Sequence, residues 1–490
     1  KEAYVWIWLP GKNEPVVAGK LEVDGKYITF NYGKSYLERS DAISIYEPEL
    51  PLQSGILPLL NGLNMPNSIR DAAPDAWGRR VIINRKMGLK GIDTDTASLD
   101  EITYLLESGS DRIGSLDFQY SPKEYIPRSA QNATLEELLE SAKRVENGIP
   151  LSADLDQALY HGSSIGGARP KALIEHNNLK YIAKFSASND TYSVVKVEYI
   201  AMRLAALCGL TVAPVKLVQA SGKDVILIER FDRIKVESGW TRKSMVSALT
   251  LFGLSEMTAR YASYEELAQI IRVRFKEPKK DLKELFKRLV FNILCGNNDD
   301  HARNHATFWD GKDLTLTPAY DICPQARTGN ETTQAMKIIG NNGYSQLKTC
   351  LMAAHHFLLS EKEAIEIFDI FQNIIRDNWD NICDEAQLTK VDKSLFWGRQ
   401  FLNPFSIDLM ELLPLSIFKK FLALYENIAS IDLSDLFLKE YSIAPTGIPL
   451  LFSSLGINGL QPVNLVSNGI SLSDNLMWAN GNADLNPALA

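Results

Sequence analysis

"CGNNDDHARNHATFW" runs from Cys295 to Trp309 and decides how the rest of the chain is read. It packs two adjacent Asp, three Asn, two His and an Arg into one short stretch. Just before it, "DLKELFKRLVFNIL" repeats Leu282, Leu285, Phe286, Leu289, Val290 and Ile293 at helical spacing. A core helix therefore delivers the chain into a crowded polar loop. Such groups are costly to bury without partners. Helix capping accounts for one Asx residue, not for Asn297, Asn298, Asp299, Asp300 and Asn304 together.

The interval from Asp299 to Asn304 matches the D-x-x-x-x-N spacing of a protein-kinase catalytic loop. An Asp there can accept the proton of an attacking hydroxyl. An Asn amide oxygen can ligate Mg²⁺, a hard ion that takes oxygen ligands. Upstream, "YIAKFS" leaves Lys184 alone in an apolar strand, where it must snorkel or pair. Glu198 follows on the next helix, and a strand Lys paired with a helix Glu is how kinases orient ATP phosphates. Further upstream, "SSIGGARPK" at 163–171 has adjacent glycines that let backbone N–H groups approach an anion. It lacks the G-x-x-x-x-G-K-[ST] pattern of a P-loop. Downstream, "LTPAYDI" places Asp321 on a short apolar run, where a kinase needs a second Mg²⁺ carboxylate. No Phe-Gly follows it. Taken singly, these features read as a tight turn, an edge-strand lysine and a strand-end Asp. Their sequential order is what makes them one pattern.

The 490 residues are enough for two or three domains. A composition 45% hydrophobic and 23% charged is that of a globular chain. The net charge of −8 excludes a global basic footprint for nucleic acid. Five scattered cysteines make no disulfide framework and no Cys/His zinc pattern. His301 and His305 are four apart but lack H-E-x-x-H. No run of 18 apolar residues predicts a membrane span, so a cytoplasmic protein is expected.

Along the chain, "YVWIWLPG" and "KYITFNYG" predict strands, "AAPDAWGRRVIINRKMG" a helix closed by Gly88, and "DRIGSLDFQY" a strand. Residues 120–132 read as a linker. A helix is expected over 133–150, two strands around the turn "HNN", and a helix over 194–208 stopped by Gly209. Further helices are expected near 360–377 and 410–426. Residues 443–490 are rich in Gly, Ser and Asn and predict nothing definite.

At this point the chain resembles the HipA toxin kinases of bacterial type II toxin–antitoxin systems. The resemblance covers about residues 1–405. "SIGGARPKA", "YIAKF", "VEYIAMRLAALCGL" and "LIERFDR" are similar to the family's nucleotide-binding lobe. "GNNDDHARNHA" and "LTPAYDI" are similar to its catalytic and metal motifs. "AISIYEPELPLQSG", "IRDAAPDAWGRRVI" and "LLESGSDRIGSLDF" look like its N-terminal subdomain. The resemblance implies an α+β, protein-kinase-like two-lobed fold. Its parts would be a strand-rich N-terminal subdomain (1–125), a nucleotide-binding lobe (133–240), a helical catalytic lobe (241–405) and an extension (406–490).

It also implies roles. Asp299 would be the catalytic base, and Asn304 and Asp321 the Mg²⁺ ligands. Lys184, oriented by Glu198, would hold the ATP α/β-phosphates. Glu229 and Phe231 would offer hinge backbone to adenine, and Ser164, Ile165, Gly166, Gly167 and His301 would complete the ATP site. Ser164, or its neighbour Ser163, would be autophosphorylated; by charge alone, either Arg169 or Arg230 could hold the added phosphate, and the sequence does not choose between them. ATP and Mg²⁺ would be the cofactors. Expected partners are a HipB-like antitoxin, operator DNA through that antitoxin, and a protein substrate such as an aminoacyl-tRNA synthetase. The competing expectations are a pseudokinase-like binding protein and a small-molecule phosphotransferase. The intact Asp299, Asn304 and Asp321 set weighs against the first, and the added N-terminal subdomain against the second.

Overall fold

The computed structural model describes residues 1–409, apart from 61, 89–94, 130–132, 150, 153–155, 157–168 and 188. Strands β1 (Glu2–Ile7), β2 (Val16–Asp24), β3 (Tyr27–Tyr32) and β4 (Leu116–Gln119) form an antiparallel sheet in the order β3-β2-β1-β4. Alternation along β1 turns Ala3, Val5 and Ile7 to one face, where they are buried with Leu21, Phe30, Leu105 and Phe118. Leu105 comes from the helix Glu101–Glu107, whose first turn is capped by the Asp100 side chain on the Thr103 N–H.

The expected linker at 120–132 is packed where it is described. The Tyr125 ring lies 5.5 Å from Trp6 and 5.3 Å from Trp8, and its hydroxyl donates to Asp117 at 2.9 Å. Pro and Ser hid this, because the anchor is a single aromatic residue that needs the two distant tryptophans.

A second antiparallel sheet holds β5 (Lys171–His176), β6 (Leu179–Phe185), β7 (Val215–Ala220) and β8 (Lys223–Glu229) in the order β5-β6-β8-β7. Asn177 and Asn178 both have positive φ, 50° and 58°, as the two-residue turn between β5 and β6 requires. The two faces of this sheet belong to different cores. Ala172, Ala183, Phe185, Ala220 and Val225 pack with Trp77 and with the helix Leu135–Glu146. Ile226 and Ile228 pack instead with the helix Val194–Leu207, inside the large core of the helical region.

A hairpin of β9 (Arg233–Val236) and β10 (Gly239–Arg242) leads to β11 (Ser244–Ser247). The latter pairs with β12 (Ala306–Trp309), and β12 with β13 (Leu314–Leu316). The predicted core helix is Pro278–Cys295, with Pro at its start and all six apolar positions buried. Each such Leu or Phe contributes about 1.5–3 kcal/mol relative to exposure. Gly296 ends it at φ 74°, and a Cβ there would lie 2.7 Å from the Gln400 carbonyl oxygen. Only glycine fits, so the exit into the polar loop is fixed in direction. The last long helix, Glu361–Glu385, runs past the expected end near 377 because Trp379, Ile382 and Cys383 continue its buried stripe. The helix expected near 410–426 lies outside the described residues. No helix among the described residues is long and apolar enough to cross a membrane.

A buried ionic seam joins the N-terminal sheet region to the second sheet. Asp111 meets Arg230 at 3.0 Å, Arg233 at 2.9 Å and Lys180 at 2.5 Å. Asp232 meets both arginines at 2.9 Å. The arginines also donate to the Arg112 and Gly114 carbonyls. Every charge is thus paired and hydrogen-bonded, which is the condition for burying it.

Candidate active site

The Lys184 ammonium, on β6, lies 2.7 Å from Glu198 on the helix Val194–Leu207 and 2.5 Å from Asp321. The pairing of a strand lysine with the next helix's glutamate is therefore present. The Glu198 side chain is 2% exposed, whereas that of Asp321 is 41% exposed. Asp321 thus opens toward solvent while the other two lie inside. Lys184 and Lys171 hold the Asp321 carboxyl down to about 2 against its burial. Burial alone would lower Lys184, but Asp321 and Glu198 outweigh it and hold the ammonium well above its usual range. Burial pushes Glu198 upward, with Lys184 opposing. Asp321 does not end a strand as expected. It sits in irregular backbone at φ 58°, a left-handed conformation that Asp and Asn adopt more readily than other L residues. An ionised, outward-opening aspartate is suited to a ligand's charge rather than to packing.

The register of β5 on β6 sets Lys171 directly across from Lys184. Both are buried. Burial pushes Lys171 down, and the charge of Asp75 opposes this most strongly. Two residues after Asp75, the Trp77 indole N–H donates to the Lys171 carbonyl at 3.1 Å. Sequence reading left Lys171 without a role, as the last residue of the glycine stretch. A lysine in the apolar run "KALI" was the available signal.

The opening stretch divides into residues that bond inward and residues that face out. Asn297 donates to the Asn292 side chain at 3.0 Å, and Asn298 to Thr332 at 2.9 Å. Asp300 and His305 form a buried pair at 2.9 Å. Asp299 is exposed, and His301 and Asn304 are half-buried. Although Asp299 reaches solvent, partial desolvation by the surrounding loop raises its carboxyl; His301 lowers it and Asp321 raises it, so these three groups sense one another. The Asn304 amide nitrogen donates to the Asp299 carbonyl at 3.2 Å, leaving Oδ1 as the amide's other end. The Tyr320 hydroxyl donates to the Arg303 carbonyl at 2.7 Å, tying the segment before Asp321 to that before Asn304.

Among the described residues, no three His, Cys, Asp or Glu side chains are grouped to hold a metal ion. Asp321 with the Asn304 amide oxygen still fits Mg²⁺, since both offer oxygen to a hard ion that keeps waters and phosphates as its other ligands.

At the end of β8, the Glu229 N–H donates to the Pro214 carbonyl at 2.9 Å. The Phe231 ring lies 5.9 Å from Phe308 and 5.8 Å from Tyr320, so it borders both the sheet and the Asp321 segment. Arg230 cannot hold a loop phosphate as expected, because its guanidinium is committed to the buried seam. Arg169 is paired with Asp190 at 2.8 Å. Ser163, Ser164, Ile165, Gly166 and Gly167 lie outside the described residues.

Residues 7–119 match the HipA N-terminal domain, and residues 163–379 match the HipA-like C-terminal domain. The chain belongs to the HipA family. It is 29% identical over 147 residues to a Sinorhizobium fredii protein, across 29% of this chain and 33% of that one. It is 24% identical over 183 residues to the serine/threonine-protein kinase toxin HipA of Shewanella oneidensis, across 32% of this chain and 42% of that one. The aligned stretches thus span a third to two fifths of these relatives. HipA in the Shewanella oneidensis complex with HipB and operator DNA superposes with a TM-score of 0.56 at 20% identity. That match covers 78% of this chain and 92% of the other, a likeness of fold. The α+β, kinase-like architecture expected of a HipA chain is the one found.

Proposed function

We propose that this HipA-family chain is an ATP-dependent Ser/Thr protein kinase toxin. The observation that carries this is Lys184 in contact with both Glu198 and Asp321, with Asp321 in turn acting electrostatically on an exposed Asp299. With nucleotide bound, the Lys184 ammonium turns from Asp321 to the α/β-phosphates while Glu198 keeps it oriented. Asp321 and the Asn304 amide oxygen would then hold Mg²⁺, which would supply positive charge to the phosphates. Asp299 accepts the proton of the attacking hydroxyl, the oxygen attacks the γ-phosphorus, and ADP leaves. A positioned base of this kind contributes about 10²–10⁴-fold. Glu229 and Phe231 lie at the strand exit where adenine would meet backbone.

The protein substrate in this reading is an aminoacyl-tRNA synthetase, whose modification would halt translation in the cytoplasm. Ser164, or Ser163, would be modified in the chain itself. A HipB-like antitoxin would bring the complex to operator DNA. The net charge of −8 fits an arrangement in which the basic DNA-facing surface is the partner's. Intact-mass spectrometry with ATP and Mg²⁺, with and without candidate synthetases, tests the reading. A gain of one phosphate on the substrate or on the peptide across Ser163 and Ser164 is expected. No transfer to either would sink it.

A further inference from the structure

Lys196, Tyr199 and Arg203 recur at i, i+3 and i+7 and so share one stripe of the helix Val194–Leu207. That stripe meets the end of the helix Glu361–Glu385. The Tyr199 hydroxyl donates to Glu385 Oε1, and Arg203 Nε donates to the same oxygen at 2.9 Å. Lys196 Nζ donates at 2.8 Å to the carbonyl of Gln387, just past the helix. Beneath these contacts, Val195, Tyr199, Ile200 and Met202 share a core with Trp379, Ile382 and Cys383. Ala183 and Phe185, which flank Lys184, pack in a separate core. The sheet that carries Lys184 touches both cores, because Ile226 and Ile228 of β8 pack on this same helix; the helix therefore lies between that sheet and the helix Glu361–Glu385. Glu198 lies about 100° round the helix from Tyr199, away from the clamped stripe. The helix is a stiff spacer between Glu385 and Lys184.

We propose that Glu385 is a positioning residue: it fixes the Glu198 helix against the catalytic lobe, so that the Lys184–Glu198 bridge stands assembled before any ligand arrives. In kinases that move this helix, its position is a control point. Here the clamp removes that freedom, and regulation must act elsewhere. The idea rests on the kinase reading for its consequence, but not for its geometry.

Two variants test it, Glu385→Ala and Glu385→Gln. The glutamine oxygen still accepts from Tyr199 and Arg203. The Glu385 side chain is 39% exposed, so neither change should unfold the protein. Steady-state transfer from ATP–Mg²⁺ and amide hydrogen exchange are measured on the full chain. Glu385→Ala should lower kcat about 10- to 100-fold, the scale of a misplaced catalytic geometry, with a smaller change in KM. Exchange in 194–207 should speed up while 2–32 stays unchanged, and Glu385→Gln should recover most of both. Wild-type kcat and unchanged exchange in Glu385→Ala would overturn the proposal. So would equal losses in both variants, which would mark a merely structural contact. Absence of transfer in the wild type would defeat the kinase reading. Exchange in 194–207 would then decide the clamp alone, and an unchanged rate there would refute it.

Discussion

Two buried ionic clusters sit a short way apart in this molecule, and they are built to opposite ends. In the Asp111–Arg230–Asp232–Arg233 seam, each guanidinium spends its N–H groups on carboxylates and backbone carbonyls. In the Lys184–Glu198–Asp321 cluster, one ammonium is divided between two carboxylates, one of them opening to solvent from left-handed backbone. Saturated valences hold parts together. Unsaturated ones that face outward can exchange a protein partner for a ligand. The difference predicts that changes at the seam cost stability, and that changes around the second cluster cost chemistry.

The largest effect is expected next to the second cluster. Asp299→Asn should lower phosphotransfer by about 10²–10⁴-fold, with nucleotide affinity held within a few-fold and an unchanged urea midpoint. A full-rate variant would remove Asp299 from the reaction. At the seam, Arg233→Ala leaves Asp111 and Asp232 under-paired and should destabilise by about 3–5 kcal/mol in urea titration. A loss below about 1 kcal/mol would mean that the seam does not bind the regions together. Asp321→Asn keeps a residue that tolerates positive φ but removes the charge. Nucleotide binding in the wild type should weaken when EDTA removes Mg²⁺. In the variant that difference should shrink by at least about 10-fold, and an undiminished Mg²⁺ dependence would exclude Asp321 as a ligand.

The smallest effects are in pH. Partial desolvation and Asp321 raise Asp299, and a protonated Asp299 cannot accept the hydroxyl proton. The acid limb of kcat/KM should therefore lie above the ordinary aspartate range near about 3.9. Against its burial, Arg230 and Arg233 hold Asp232 down to about 2. A depressed folded-state value means that its stabilisation is complete above the unfolded value and lost as pH falls from about 4 to about 2. Activity should fail before the fold does on acidification. Coincident loss of rate and of near-UV circular dichroism would blur the distinction between the clusters.

What the sequence disclosed follows the range over which each feature is encoded. The Lys184–Glu198 pairing could be read because kinase chemistry fixes residue type and spacing within local segments. The Asn177–Asn178 turn and the 278–295 helix were legible for the same reason, through turn chemistry and period. The seam was not. Asp111 and Arg230 are separated by 119 positions, and a charged residue in sequence looks solvated until its partner arrives. That is why Arg230 could stand beside Arg169 as a candidate phosphate holder. Lys171 was missed because its neighbour across the strand, rather than along the chain, gives it meaning. The left-handed backbone at Asp321 had no signal, since Asp tolerates that conformation without glycine's mark. The division of the opening stretch into inward and outward groups also needed the fold: five Asx residues look alike until Asn292 and Thr332 claim two of them.

The Glu385 contact also sets a timetable for synthesis. Tyr199 and its partner are 186 positions apart. At roughly 5–20 residues per second, the ribosome takes on the order of 10–40 s to travel from one to the other. The N-terminal sheet can close long before then, because β4 completes it by Gln119. Through that interval the helix bearing Glu198 can rest on its own sheet through Ile226 and Ile228 but lacks the Glu385 contact. Limited proteolysis of ribosome-stalled chains should find the 194–207 segment cleavable when synthesis has passed residue 300 and protected once it has passed residue 430.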